Sequence, residues 1–335
     1  MRAVGIDPGT YSFDLFGMED NREIIADESV KSEDIFRNPH ILIEKLEELM
    51  PLDIIIGPSG WGIPLKSIKD MTDHDIGRMI PLDTEVAVNE GIKKVLLEMK
   101  KREMPVYFTP GVVHLKTVPS YRKWNQFDMG TADKVCCVVL GIKDQSERLN
   151  IPFNETSFIY VEMGYGFTAV IGVKFGKIVD GIGGTNGALG FIASGGMDAE
   201  LAIRLKPPLT QDIVFRHGLK DFVGGNIEPQ DLRNHKEAMA LLGESVEKDV
   251  ASMLVSVPHP REIILSGRLI QYEFIQRELA DRFKKYGTVI KIKKLSGTAK
   301  EAACGAYIIG EGLLGGKYNK LVENMGIGDN ADHSN

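Results

Sequence analysis

Long apolar runs, clustered cysteines, paired histidines and a surplus of basic charge are all scarce in this 335-residue chain. No window approaches the roughly 20 apolar residues of a membrane-spanning helix, so no membrane partner is expected. There are three cysteines. Cys136 and Cys137 are adjacent within the apolar run VCCVVLG, which suits buried thiols in a reducing compartment better than a disulfide or a metal site. The seven histidines are scattered without ligand spacing, and no zinc or Ser-His-Asp pattern is present. The net charge of -7 argues against electrostatic capture of nucleic acid. The opening MRAVGIDPGT lacks a basic region followed by an apolar core, so a cytoplasmic protein is expected. What remains is an ordinary globular composition, 43% hydrophobic and 26% charged, at a length for which two domains are the default.

The apolar patterning reads as a duplicated α/β architecture. Strands are expected at Arg2 to Asp7, Tyr11 to Gly17 and Ile24 to Lys31, with Pro8-Gly9-Thr10 as the first tight turn. A helix over Asn38 to Met50, an apolar strand ending at Gly57, a helix from about Thr84 to Arg102 and a strand at Val106 to Phe108 follow. The pattern then recurs. Ser157 to Met163, Phe167 to Lys174 and Lys177 to Gly181 form a second meander, followed by strands at Glu262 to Leu265 and Val289 to Ile292. Helices are expected over Gln271 to Tyr286 and Thr298 to Gly310. Met129 to Gly141 is the expected helix crossing between the halves. The implied domains are 1–128 and 129–315, with 316–335 a loosely ordered tail.

Two hairpins carry similar chemistry at equivalent places. In GIDPGT, Asp7 ends a buried strand, Gly9 clears the backbone for a phosphate, and Thr10 adds an N–H and a hydroxyl. In EMGYGFT, Glu162, Gly164, Gly166 and Thr168 occupy every second position. That spacing places the acid at one strand end, glycines at the bend and the threonine on the facing strand. Either motif alone is ordinarily just a turn; their joint occurrence on the first hairpin of each meander points to a nucleotide clamp. Mg²⁺ keeps most of its waters, so Asp7 and Glu162 could hold it beside the phosphates.

These hairpins resemble the first and second phosphate motifs of the actin-like superfamily, which includes acetate and sugar kinases, heat-shock chaperones and actin. EIILSGRLIQYEFIQREL, from Glu262, is similar to the adenosine motif of that superfamily, with Ser266-Gly267 where Gly-Gly is usual. KEAACGAYIIG, from Lys300, resembles its second connecting helix. The run from Glu162 to Asp198 most resembles the acetate and butyrate kinases, and the whole chain resembles an archaeal family provisionally called butyrate kinases. The resemblance implies two ribonuclease H-like domains, each a mixed five-stranded sheet with flanking helices, and a nucleotide cleft between them. It implies ATP and Mg²⁺ as cofactors, Gly195 and Gly196 near the phosphates, and Asp198 near adenine or ribose. It implies a phosphotransferase acting on a small molecule, a short carboxylate in the first instance, and leaves room for a homodimer.

The chain departs from the acetokinase pattern where that pattern stabilises the moving phosphoryl group. Ala193-Ser194 stands in place of one arginine, the Ile run before Gly57 in place of another, and Thr109-Pro110-Gly111 where an acid is usual. A kinase for an alcohol, or a nucleotide-dependent regulatory ATPase, therefore stays open. Candidates for the chemistry flank the expected crossover helix: Arg122, Lys123, Asp128, Thr131, Asp133 and Lys134, with Thr131 also readable as an N-cap. His114 and Ser59-Gly60-Trp61-Gly62 are further candidates for an acceptor pocket.

Overall fold

The computed structural model describes residues 1–80, 87–205 and 210–329. These residues form two compact units, each discontinuous in sequence. The first comprises Met1–Val118, Thr131–Glu155 and the chain from Lys293 onward; the second comprises Pro119–Gly130 and Thr156–Ile292.

The first unit is built on strands β1 (Arg2–Pro8), β2 (Ser12–Glu19), β3 (Glu23–Lys31), β4 (Ile54–Ile56), β5 (Lys66–Ser67) and β6 (Val106–Phe108), in the order β3-β2-β1-β4-β6-β5. β1 is the central strand. It pairs antiparallel with β2 and parallel with β4, and its uninterrupted burial explains why AVGID reads as an apolar run rather than an alternation. The β2–β3 loop is Asp20-Asn21-Arg22, with φ of 49° and 56° at its first two residues. Positive φ at both positions matches the twist of the flanking strands, and Asp and Asn tolerate it. The sequence predicts five strands here; the structure has six, because the chain beyond Pro64 returns antiparallel along β6, Lys66 opposite Phe108.

The second unit repeats the frame with β7 (Ser157–Met163), β8 (Thr168–Lys174), β9 (Lys177–Ile182), β10 (Glu262–Ser266) and β11 (Thr288–Lys291). The order β11-β10-β7-β8-β9 is that of the first sheet without its sixth strand. The second turn of this meander also has two successive residues with positive φ, Phe175 at 56° and Gly176 at 64°. Even the irregularity recurs: the register slips at Gly17 in β2 and at Gly172 in β8. Each sheet has its own core, Ile6, Phe13, Leu42, Ile55 and Phe108 in the first and Val161, Phe191, Leu242, Ile263 and Phe283 in the second.

Three sequence boundaries shift. The crossover helix spans Ala132–Leu149 rather than Met129 to Gly141. It starts late because Gly130 takes φ 124° and Asp128 accepts its N–H, and it runs on until Asn150 adopts the left-handed conformation. The closing helix is Glu301–Leu313. The expected loose tail carries a helix, Asn319–Met325, that buries Leu321, Val322 and Met325. The buried Glu311 holds this return by accepting the N–H groups of Lys317 and Tyr318 at 2.6 and 2.8 Å. The start of the helix expected from Thr84 and the terminal HSN lie outside the described residues; the described part of that helix is Ala87–Lys101.

Small residues on the helix Glu301–Leu313 set close packing within the first unit. A Cβ on Gly305 would lie 1.8 Å from the Cys136 carbonyl of the crossover helix, and one on Gly5 of β1 would lie 2.3 Å from Tyr307 N. All three cysteines are buried thiols outside any disulfide. Among the described residues no helix is long and apolar enough to cross a membrane.

Candidate functional site

β1 delivers Asp7 to the mouth of the first hairpin, where its Cα partner across the ladder is Asp14. Both carboxylates are buried. Burying charge without a partner is costly, and the partner is Lys300, at the start of the helix Glu301–Leu313. Its ammonium stands 2.9 Å from Asp14 Oδ2 and 3.4 Å from Asp7 Oδ2, and donates to the Ser12 carbonyl at 3.2 Å. Ser12 Oγ donates to Asp14 at 2.8 Å. Gly9 makes the room: a Cβ there would lie 2.4 Å from Lys300 Nζ. Thr10, beside it, is exposed.

The crossover helix adds a second ion pair to this group. Lys134 Nζ lies 2.5 Å from Asp133 Oδ2. Thr131 occupies the N-cap position but makes no capping hydrogen bond; its hydroxyl donates to Asp133 instead. The charges sense one another. Burial raises the Asp7 carboxyl to about 7 against the pull of Lys300, with Asp133 and Asp14 adding to the rise. Burial also works to raise Asp133, but Lys134, the Thr131 hydroxyl and Lys300 outweigh it and hold that carboxyl below its usual range. The neighbouring Cys136 thiol is pushed well above its ordinary value by burial and by Asp133, so it is inert as a nucleophile.

The second hairpin has a different lining. Glu162 is buried near the end of β7, and Gly164 N–H closes the turn on the Phe167 carbonyl at 2.9 Å. Ser266 is its register partner on the parallel strand β10. Gly267 follows with φ 93°, and a Cβ there would lie 2.4 Å from the Met163 carbonyl and 2.8 Å from Glu162 Oε1. Only glycine fits. The Ser266 hydroxyl is buried without a hydrogen-bond partner. Thr168 Oγ1 reaches the Leu189 carbonyl at 3.5 Å, the long limit of a hydrogen bond.

The glycine-rich stretch after β9 packs onto this hairpin. A Cβ on Gly190 would come within 1.9 Å of the Gly166 carbonyl, and Ala193 N–H donates to that same carbonyl at 3.0 Å. Gly195 adopts φ 70°, and Gly196 N–H donates to the Gly187 carbonyl at 2.8 Å. Asp198 is exposed and caps the helix Ala199–Arg204 by accepting Glu200 N–H at 2.7 Å.

Four further sequence candidates make structural contacts, and the loop of one of them, Ser59, adjoins the charge group, since the Gly60 carbonyl accepts Ala132 N–H at 3.2 Å. Arg122 belongs to the second unit, where it donates to the Val179 carbonyl at 2.7 Å and stands 3.6 Å from Asp180 on β9. Asp128 anchors the following glycine loop, accepting from Thr185 Oγ1 at 3.2 Å. His114 Nδ1 accepts the Gly111 N–H at 3.1 Å, a structural contact that closes a single turn. Ser59 is likewise a staple, donating to the Gly57 carbonyl and accepting Thr109 N–H, both at 3.0 Å. The sequence reading missed Asp14 and Lys300. An acid inside the buried run SFDLFG was the available signal for Asp14.

Among the described residues no three His, Cys, Asp or Glu side chains are arranged as a self-sufficient metal cage. Mg²⁺ needs no such cage, since it is held by one or two carboxylates plus water and phosphate oxygens. Asp7 in the first unit and Glu162 in the second each present a buried strand-end carboxylate beside a glycine-containing turn.

The fold is similar to that of several kinases of known structure. A propionate kinase from Francisella tularensis superposes with a TM-score of 0.66 at 12% identity, over 91% of this chain and 98% of that one. Porphyromonas gingivalis acetate kinase gives 0.64 at 13%, over 91% and 98%. A ROK family glucokinase from Streptomyces griseus, solved with glucose and AMPPNP, gives 0.52 at 13%, over 93% and 99%. At such identities the likeness shows the fold alone. No curated protein matches by sequence. The profile of the family described as protein of unknown function DUF1464 matches residues 5–334, and the chain belongs to that family.

Proposed function

We propose that this protein transfers phosphate from ATP, with Mg²⁺, to a small molecule, and that the acceptor is a short carboxylate. The carrying observation is the buried charge group at the first hairpin, where Lys134 and Lys300 lie among Asp7, Asp14 and Asp133. Phosphoryl transfer needs positioning and neutralised charge more than covalent chemistry. The glycines Gly9 and Gly166, without side chains, would let phosphate oxygens approach the hairpin backbone, while Gly164 closes its own turn through its N–H. Asp7 and Glu162 would hold Mg²⁺, which when bound neutralises charge on the phosphates. Gly195 and Gly196 would serve the phosphates, and Asp198 with Ser266-Gly267 the adenosine, as the resemblance implies. The AMPPNP bound to the glucokinase neighbour supports ATP as the donor.

A carboxylate acceptor brings a second anion to the γ-phosphate. Their repulsion at about 4 Å is about 4 kcal/mol at an effective dielectric near 20, so a cation must stand in for the absent arginines. Lys134 is that cation in this reading. A second reading has a specific observation in its favour. A carboxyl near neutrality, as Asp7 is, suits a general base for an alcohol acceptor. Incubation of the purified protein with Mg-ATP and short carboxylates, polyols or sugars tests both. Hydroxylamine converts an acyl phosphate to a hydroxamate, so carboxylate-dependent ADP release with hydroxamate formation is the expected result. Transfer to a polyol or sugar would favour the second reading. Tight Mg-ATP binding with no transfer to anything would leave a nucleotide-dependent regulator.

A further inference from the structure

We propose that Lys300 is the residue through which the first hairpin holds the terminal phosphates of the nucleotide, an inference that rests on the ATP-dependent reading above. Lysine is an unfavourable residue at a helix N-terminus, where the backbone dipole disfavours cations, yet Lys300 occupies the N-cap position of the helix Glu301–Leu313 without capping it. Its side chain turns instead to the hairpin and lies over Gly9. The missing Cβ therefore brings an ammonium to the Pro8-Gly9-Thr10 turn.

The exposures order the charges from outside inward. The Lys300 side chain is 23% exposed, Asp7 7% and Asp14 1%. Any anion approaching this turn from solvent meets the ammonium before either carboxylate. Asp14 is the inner anchor and holds Lys300 at 2.9 Å; the contact to Asp7 is longer, at 3.4 Å. An ammonium has three donors. Exchanging the longer contact for a phosphate oxygen keeps the anchor and frees Asp7 for Mg²⁺. No arginine is needed for this grip, which fits the absence of arginines at the acetokinase positions.

Calorimetric titration of the full chain with Mg-ATP and with AMP tests the assignment. AMP lacks the phosphates concerned. Lys300→Met should weaken Mg-ATP about tenfold or more, the range of a lost charge-assisted hydrogen bond, and leave AMP unchanged. Lys300→Arg should recover most of the loss. Unchanged or tighter Mg-ATP binding by Lys300→Met would overturn the proposal, and so would equal weakening of ATP and AMP. Should the single variant fail to fold, Lys300→Met combined with Asp14→Asn removes both members of the buried pair. It should show the same selective loss, and wild-type affinity in it would overturn the assignment. If the wild-type protein binds no Mg-ATP, the kinase reading fails and takes this inference with it. If the wild type binds Mg-ATP and the variants bind it equally well, the inference fails alone.

Discussion

The two first hairpins share one topology and almost no chemistry. Asp7 sits among two further carboxylates and two ammonium groups, whereas the Glu162 carboxylate lies against Gly164 and Gly267, where added Cβ atoms would come within 3.3 and 2.8 Å of its Oε1. Their glycines differ in the same sense. Gly9 faces the end of a flexible lysine, while Gly190 and Gly267 face backbone carbonyls. A frame can repeat because it needs only apolar residues at the right period. A site can then diverge, one copy spending its burial on charge and the other on close backbone packing. The first hairpin thus gathers charged side chains, and the second packs backbone against backbone.

The largest effect should come from the second hairpin. Gly190→Ala puts a methyl group 1.9 Å from the Gly166 carbonyl, and backbone cannot yield cheaply. A loss of about 3 kcal/mol or more is expected in denaturant unfolding. Gly9→Ala meets Lys300 Nζ at 2.4 Å and the Ser12 carbonyl at 2.9 Å. The lysine can swing away, so a loss of about 1 kcal/mol is expected, together with weaker Mg-ATP binding. Equal destabilisation by the two variants would erase the distinction between the backbone-packed and the charged hairpin.

The sheets were legible in the sequence because strand period, turn residues and apolar runs are local. AVGID, the Phe175-Gly176 turn and the Ile run before Gly57 each announce themselves within a few residues. The glycine hairpins were legible for the same reason. Lys300 was not, since it meets Asp7 across 293 residues and its neighbours suggest only a small-residue helix. Arg122 differs in its surroundings from Lys134, with which it was grouped. Closeness to the crossover helix in sequence placed it beside Lys134, but Pro119–Gly130 packs with the second unit and Lys134 with the first.

A second effect separates the hairpins by pH. Folded Asp7 keeps its proton up to about pH 7, whereas an unfolded aspartate loses it near its ordinary value of 3.8. Between those values the native state binds more protons than the unfolded state, so stability falls as pH rises from about 4 to about 7. The loss from this one group should amount to a few kcal/mol. Asp7→Asn should flatten that slope in urea titrations run at pH 5 and pH 7.5, whereas Glu162→Gln should leave it in place. A wild-type slope retained in Asp7→Asn would show that the proton resides elsewhere in the charge group.

The smallest effect concerns the two cations that sequence position had grouped together. Arg122 bonds the Val179 carbonyl, stands near Asp180 and covers the Tyr121 ring at 5.6 Å, all within the second unit. Its side chain is partly exposed, so Arg122→Ala should cost about 1 kcal/mol or less by loosening Pro119–Gly130 from β9. Phosphoryl transfer should be unchanged. Lys134 lies inside the charge group, paired with Asp133 and felt by Asp7. Lys134→Ala should lower kcat by tenfold or more, about 1.4 kcal/mol of transition-state stabilisation, with KM for ATP little altered. The contrast between the variants is the informative quantity, since a general loosening of the fold would lower both alike. If Arg122→Ala slows transfer as much as Lys134→Ala does, chemistry would be shared by both units and the charged hairpin would lose its special standing.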